Sequence, residues 1–331
     1  MKKIFLFLLL TVNVFAVNKT GTTAAKFLST NIGSKAISMG GAFCAISNDG
    51  SSMYWNPAGV AFHNLNVVFV NHADWIADIS FDYFGFTTQL KNNNYFGINI
   101  TSVTMDDMEV TRYGNEDTGE TFSSSSYAFG ATFAINMTDN FSLGINGKYI
   151  RENIANSFAK GLALDIGTLF HTPFGFTFGT SISNFGPKMN MTGDDLIVPV
   201  DIDETIGGNN ESVTGYLTTD DFDLPLVLRV GITNDHQLGS LGRITWAIDT
   251  NSPNDNSNYI NLGIECGILN DIITIGIGAN SIFMDDREKE ISYGLGIHPP
   301  RLMASKMNIV YTVENMTQLG QTHHLSFQIS R

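Results

Sequence analysis

Residues 127–136 read Tyr-Ala-Phe-Gly-Ala-Thr-Phe-Ala-Ile-Asn, placing Tyr127, Phe129, Ala131, Phe133 and Ile135 on one phase of a two-residue period. The other phase holds Ala128, Gly130, Thr132, Ala134 and Asn136. A period of two is that of an extended strand with two unlike faces. The second face decides the fold. A soluble sandwich would turn Lys and Glu to water there. Here that face is small and mostly uncharged, as in the lining of a filled barrel, and the opposite face is as aromatic as a lipid girdle.

The same alternation runs outward in both directions. Phe96, Ile98 and Ile100 oppose Gly97, Asn99 and Thr101, and Phe141, Leu143 and Ile145 oppose Ser142, Gly144 and Asn146. Leu162 to Ile166, Phe174 to Phe178, Ile260 to Ile264 and Ile291 to Leu295 repeat it. Segments separated by turn chemistry number about fourteen. They start near Leu65, Ser80, Tyr95, Phe122, Phe141, Lys160, Phe174, Leu224, Gly242, Asn258, Asp271, Lys289, Ser305 and Gln321. The expected fold is all-β, a transmembrane antiparallel β-barrel, for which an even strand number allows closure. Tight connections at 92–94, 138–140 and 270–271 are expected to face the periplasm. The longer stretches 105–120, 153–159, 185–223, 251–257 and 283–288 are expected to face outward.

The N-terminal part reads differently. Lys2 and Lys3, the apolar run Ile4 to Leu10, a less regular Thr11 to Phe15 and Ala16 have the form of a secretory signal peptide cleaved near Ala16. The apolar core is shorter than the ~20 residues of a spanning helix. Val17 to Thr30 is polar and small, and is expected to be loosely held. Gly33 to Phe62 is rich in small residues and broken by Gly40-Gly41, Asn48-Asp49-Gly50 and Asn56-Pro57-Ala58-Gly59. Short helical turns fit at Ser34 to Met39 and Ser51 to Trp55.

The run Gly33-Ser34-Lys35-Ala36, Met39-Gly40-Gly41-Ala42-Phe43, Asn48-Asp49 and Tyr54-Trp55-Asn56-Pro57-Ala58-Gly59 resembles the N-terminal segment of the PorV/PorQ family of outer-membrane proteins. Ser183-Asn184-Phe185-Gly186-Pro187-Lys188-Met189 and Leu224 to Gly231 extend the resemblance, as do Tyr311-Thr312-Val313 and Leu319 to Phe327. It implies a FadL-like barrel with residues 1–16 as signal, 17–63 as an internal plug and 64–331 as the wall. Gly40, Gly41, Asn48, Asp49, Asn56, Pro57 and Gly59 form the plug motif, and Asn184, Phe185, Gly186 and Pro187 the entry to the long loop. The resemblance also implies a role in the type IX secretion system, binding the C-terminal signals of cargo that has crossed the outer membrane and presenting it at the cell surface. The implied partners are cargo C-terminal domains, type IX components and outer-membrane lipid. The alternatives are a FadL-like channel for hydrophobic small molecules, which an apolar cavity behind the plug would favour, and a structural or adhesive surface barrel.

Composition bounds what else is possible. The 331 residues carry a formal charge of −14. Loss of Lys2 and Lys3 with the signal makes it more negative. This balance argues against nucleic acid as a partner, since its binding needs clustered cations, and against electrostatic attraction to anionic lipid. Cys44 and Cys266 are too few for a disulfide scaffold and read as small buried hydrophobes, Cys266 on an outward strand position. His323 and His324 are adjacent and point to opposite faces of a strand, so they cannot share an ion. No nucleophile context accompanies a Ser, His and acid set, and no helix or Lys-Ser/Thr follows Gly276-Ile277-Gly278, so neither catalysis nor a cofactor is expected.

Asp165, Arg229, Arg243 and Glu265 fall in or near the inward phase, where they line a substrate path or pair with each other and the plug. The stretch 185–223 is acidic, with Asp194, Asp195, Asp201, Asp203, Glu204, Glu211, Asp220, Asp221 and Asp223. It reads as a partner-binding surface or a solvated loop, and it lacks the Asp-x-Asp-x-Asp-Gly spacing of a calcium loop. Arg331 stands in the terminal slot of the Leu325, Phe327, Ile329 phase, where outer-membrane barrels commonly carry an aromatic residue.

Overall fold

A computed structural model describes residues 20–47, 49–63, 66–114, 117–201, 205, 213–239, 242–284, 287–300 and 305–331. The signal segment, Asn48 of the plug motif, and Asp203, Glu204 and Glu211 of the acidic loop lie outside the described residues. The alternating segments form fourteen long strands: β1 Val67–Asp74, β2 Ser80–Gln89, β3 Asn94–Thr104, β4 Ser124–Thr138, β5 Phe141–Ile154, β6 Ser157–His171, β7 Phe176–Phe185, β8 Val227–Gln237, β9 Gly242–Pro253, β10 Tyr259–Ile268, β11 Ile273–Ile282, β12 Lys289–Ile297, β13 Lys306–Met316 and β14 Gly320–Ser330. Each pairs antiparallel with its neighbours in sequence. The ring closes where β1 meets β14, in register from Val67↔Ser330 to Asp74↔His323.

Closure is what hydrocarbon demands, since each unpaired backbone group there costs several kcal/mol, on the order of a lost hydrogen bond with no water to replace it. The seam extends one step beyond the strands. Asn66 and Arg331 exchange two backbone hydrogen bonds of 2.9 Å each. Arg331 therefore adds a backbone rung at the seam, and Phe327 and Ile329 supply the last outward apolar side chains of β14.

The two ends of the barrel differ. One end carries the connections that follow β2, β4, β6, β8, β10 and β12. Asn92 and Asn93 both adopt left-handed conformations there (φ 59°), as the tight turn between β2 and β3 requires. The other end, the mouth, carries 105–123, 186–226, 254–258 and 283–288, together with the short turns after β1, β5 and β13. The 153–159 stretch is not a long loop. β5 and β6 continue past it as a tight hairpin turned by Ala155 at φ 49°, pairing Ile154 with Ser157. The 105–123 connection holds its own small hairpin, Met108–Glu109 with Thr121–Phe122. In the longest connection Met191–Gly193 pairs with β6, and Ile197–Val200 pairs with Val213–Tyr216.

Outward and inward faces follow the sequence phase. Phe129, Phe133, Ile145 and Tyr149 point out and stay exposed, whereas Asn99, Thr132 and Asn146 point in and are buried. Cys44 is fully buried. Cys266 is only partly so, because its outward position places it on the membrane face beside Ile244 and Ile275 rather than against the plug.

Two glycines three positions apart on β5 test this division of faces. A Cβ on Gly144 would lie 2.3 Å from the carbonyl carbon of Pro57 in the plug, whereas a Cβ on Gly147 would meet nothing within 4 Å. Gly144→Val is therefore expected to destabilise the barrel by about 1–3 kcal/mol or more through overpacking. Gly147→Val is expected to be neutral. The midpoint of the heat-induced mobility shift of the folded barrel on SDS gels reads both variants.

Candidate functional site

Residues 24–63 cross the lumen once. They start at the mouth, where Ala24 donates its N–H to Asp223 O and Lys26 pairs with Asp255, and end at the short-turn end, where Asn66 meets Arg331. The expectation of a loose stretch before Thr30 is corrected by the segment's own apolar pair. Phe27 and Leu28, in the 3-10 turn Lys26–Ser29, fill a slot lined by Ile150, Ala159, Met189 and Leu224.

The crossing chain contains little regular structure. α1, Ser34–Ser38, and α2, Ser52–Trp55, are single turns, and Pro57–Phe62 is a 3-10 turn. Some of its backbone groups bond within the segment, and others are satisfied by the wall, strand after strand. Ser326 of β14 accepts from Ser34 N at 2.7 Å, and Thr312 of β13 donates to Ser34 O at 2.7 Å. Ser292 of β12 donates to Ile37 O, and Asn261 of β10 to Gly41 O at 3.2 Å. Asp249 of β9 accepts from both Phe43 N and Cys44 N at 2.7 Å. Ser181 of β7 donates to Trp55 O, Ser142 of β5 to Ala58 O and Asn136 of β4 to Ala61 O, at 2.8, 3.0 and 2.8 Å.

The motif residues serve this path. Gly40 (φ 65°) and Gly41 (φ 72°) turn the chain, and a Cβ on Gly40 would lie 2.7–2.8 Å from the backbone of Ala279 and Leu262. Asp49 accepts from Ser51 N at 2.9 Å and Ser51 Oγ at 2.6 Å, fixing the entry to α2. Asn56 is fully buried. Its Oδ1 accepts from Ala58 N at 3.1 Å, and its Nδ2 donates to Cys44 O at 2.8 Å and to Thr168 O of β6 at 2.9 Å. Pro57 opens the following 3-10 turn, and Gly59 packs within it against Ser52.

The inward charges separate into three groups. Glu265 bridges wall and plug, taking Arg243 at 2.8 Å and Lys35 of the plug at 3.3 Å. Asp165 takes Lys148 at 2.8 Å, Asn146 at 2.9 Å and the backbone N–H of Asn184 at 2.7 Å. Asn184 is left-handed (φ 64°), also accepts from Lys148, and donates to Pro225 O. It thereby fixes the point where Phe185, Gly186 and Pro187 leave the wall, with Phe185 facing outward and 61% exposed. Arg229 has no carboxylate within 4 Å among the described residues. Its guanidinium lies over the rings of Tyr54 and Trp55, 5.6 and 5.4 Å from their centroids, and donates to Ser183 at 2.8 Å.

Lys148, Asp249 and Lys35 were not singled out as site residues from sequence. The signal for two of them was present. Lys148 shares the phase of Gly144 and Asn146, and Asp249 that of Thr245 and Ala247, so both are inward by the same alternation that placed Asp165.

The space that remains is lined by polar and apolar groups together. A cavity of about 740 Å³ lies under the plug at the short-turn end, with Lys35, Asp49, Arg243, Asp271, His298 and Lys306 in its lining. One of about 240 Å³ lies above it at the mouth, among Lys26, Trp55, Arg229, Asp255, Asn280 and Lys289. A third, of about 310 Å³, sits within the long loop beside Met191, Leu196, Tyr216 and Leu217. At the root of that loop Asp195 accepts from Asn156 N, Asn156 Nδ2 and Ser157 Oγ, and these donors hold its carboxyl below the ordinary carboxylate range. Among the described residues no three His, Cys, Asp or Glu side chains gather as a metal site.

In structure the chain is similar to the Pseudomonas putida toluene transporter TodX, at 12% identity over 91% of this chain and 97% of that one, with a TM-score of 0.56. It is similar to the Ralstonia pickettii toluene transporter TbuX at 12% identity, covering 91% and 97%, with a TM-score of 0.53. A FadL homologue of Pseudomonas aeruginosa compares at 13% identity, covering 94% and 99%, with a TM-score of 0.54. At such identities the likeness is one of fold. No curated protein matches the chain. Residues 15–204 match the model of the family described as type IX secretion system protein PorV. With more than half its length matched, this outer-membrane β-barrel belongs to the PorV family of type IX secretion system proteins.

Proposed function

We propose that the protein binds the C-terminal signals of type IX secretion cargo at its mouth and presents that cargo at the cell surface, by recognition without catalysis. In this reading residues 1–16 are removed near Ala16, residues 17–63 act as a fixed plug, and the mouth faces outward with the short turns in the periplasm. The observation that carries it is the plug, whose backbone is tied by wall side chains on both sides of the lumen. A barrel so closed has its working surface in its loops. The 186–226 connection is the largest of them, and Ile197, Val200, Val213, Tyr216 and Leu217 expose apolar surface there among the acidic residues. Exposed apolar groups rimmed by charge suit a protein partner.

A second reading, a channel for hydrophobic small molecules, draws on the likeness of fold to toluene transporters. The charged side chains in the lining of the cavities on either side of the plug, Lys35 and Arg243 below and Arg229 and Asp255 above, weigh against it.

Replacing residues 194–221 by a short Gly-Ser linker is expected to leave a heat-stable barrel and to abolish co-purification of secreted C-terminal domains from outer membranes in mild detergent. Full retention of cargo by the shortened barrel would overturn the loop assignment. The two readings also part over plug movement. Cys44 Sγ lies 3.7 Å from Ser181 Oγ, so Ser181→Cys places two thiols within disulfide reach across plug and wall. The oxidised variant is expected to retain cargo at the wild-type level. Loss of cargo on oxidation, restored by reductant, would show that the plug has to move.

A further inference from the structure

The mouth holds a recess that stands apart from the loop surface proposed for cargo. Its lining comes from the plug's first turn and α2 (Lys26, Trp55), from β8 and the β9–β10 connection (Arg229, Asp255) and from β11–β12 (Asn280, Lys289). No residue of 186–226 belongs to that lining, so the recess is independent of the proposed cargo surface.

Its charges are unevenly matched. Lys289 is held by Glu314 at 3.0 Å, and Lys26 by Asp255. Arg229, 4% exposed, is the cation there with no carboxylate within 4 Å among the described residues. The rings of Tyr54 and Trp55, perpendicular to each other, lie on two sides of its guanidinium at 5.6 and 5.4 Å from centroid to Cζ, and Ser183 takes Nη1. A guanidinium has five N–H donors in one plane, a fork that matches the two oxygens of a carboxylate. With Nη1 engaged by Ser183, the rest of the fork is what Arg229 can offer to the recess. The opposite feature is also present. Asp255 is 2% exposed; its Oδ2 takes Lys26 and Thr23, and its Oδ1 has no hydrogen-bond partner. A buried carboxylate oxygen is an acceptor for an N–H or O–H.

We propose that this recess is a binding site for a carboxylate group with a hydrogen-bond donor close to it. Arg229 takes the carboxylate, Asp255 Oδ1 takes the donor, and Trp55 with Tyr259 forms the apolar wall. A volume of about 240 Å³ admits one or two residues of a peptide chain end, or a small organic acid. A sulfate or phosphate fits less well, because Asp255 and Glu288 put negative charge beside any further anionic oxygens.

The test uses the purified full-length barrel in detergent and calorimetric titration with three probes: N-acetyl-trialanine as the free acid, its C-terminal amide, and succinate. The free acid is expected to bind, the amide at least tenfold more weakly, and Arg229→Gln to remove binding. This result identifies a chain end as the source. Binding of succinate alone, lost in Arg229→Gln, supports the same site with a small acid as its source. Arg229 also packs on the plug, so a second variant guards against misfolding. Glu288 is exposed at the rim of the recess, and Glu288→Gln, which removes a like charge, is expected to tighten the free acid several-fold without touching the fold. No binding of either acid, or binding indifferent to amidation and to both substitutions, overturns the proposal. Cargo co-purification is read separately, so failure here leaves the loop assignment standing or falling on its own test.

Discussion

The structure depends on one constraint, that a chain with almost no secondary structure of its own has to be satisfied inside a membrane barrel. α1 and α2 supply a turn apiece, a few further bonds close within the segment, and groups from Ser34 to Ala61 find partners on the wall. This explains why the inward phase is Ser, Thr, Asn and Gly rather than apolar. Ser142, Ser181, Ser292, Thr312 and Asn136 each donate to a plug carbonyl, and Asp249 takes two adjacent plug N–H groups. The dependence is mutual. Without the plug these side chains would line an aqueous lumen, as in a porin; with it they are buried and paired.

The charged residues extend the same logic. Glu265 joins β9, β10 and the plug through Arg243 and Lys35, and Asp165 with Lys148 fixes Asn184 where the chain leaves the wall. Buried charge of this kind is weak evidence for stability and better evidence for specificity, since breaking one member leaves an uncompensated charge. Here it sets which plug residue meets which strand and where the long loop departs. The barrel thus becomes a mount with its longest loop, 186–226, at one end, an arrangement that suits recognition.

Much of this was legible in the sequence because strands in lipid have a simple grammar. The alternation around Phe129, repeated in the segments at 96–101, 141–146, 161–166, 174–179, 260–265 and 291–296, carries the facing of those strands, and turn residues place the strand starts within three residues, as with β6 at Ser157 rather than Lys160 and β8 at Val227 rather than Leu224. What escaped was whatever depends on packing between distant segments. Asn153 to Ala159 reads as a loop because Asn153, Asn156 and Ser157 interrupt the alternation, yet those residues continue the β5–β6 pairing to Ile154↔Ser157, with Ala155 turning the chain. Val17 to Thr30 looked loose because the slot for Phe27 and Leu28 is assembled from β5, β6 and the long loop. Arg229 was placed inward by its phase, but that it meets two rings instead of an acid follows from the turn of α2. Cys266 was read as outward and also as buried. The outward reading was the better of the two, since on a barrel wall the outward side faces lipid.

The central claim is that residues 34–61 are as much a part of the barrel as its strands. Hydrogen–deuterium exchange of the intact protein in detergent tests it directly. The account predicts that amides at Ser34, Phe43, Cys44 and Ala58, each bonded to a polar side chain of wall or plug, are protected for hours alongside those of β5 and β9. Exchange of this segment within minutes while the strands stay protected would contradict it, and would mean that the plug opens as a unit.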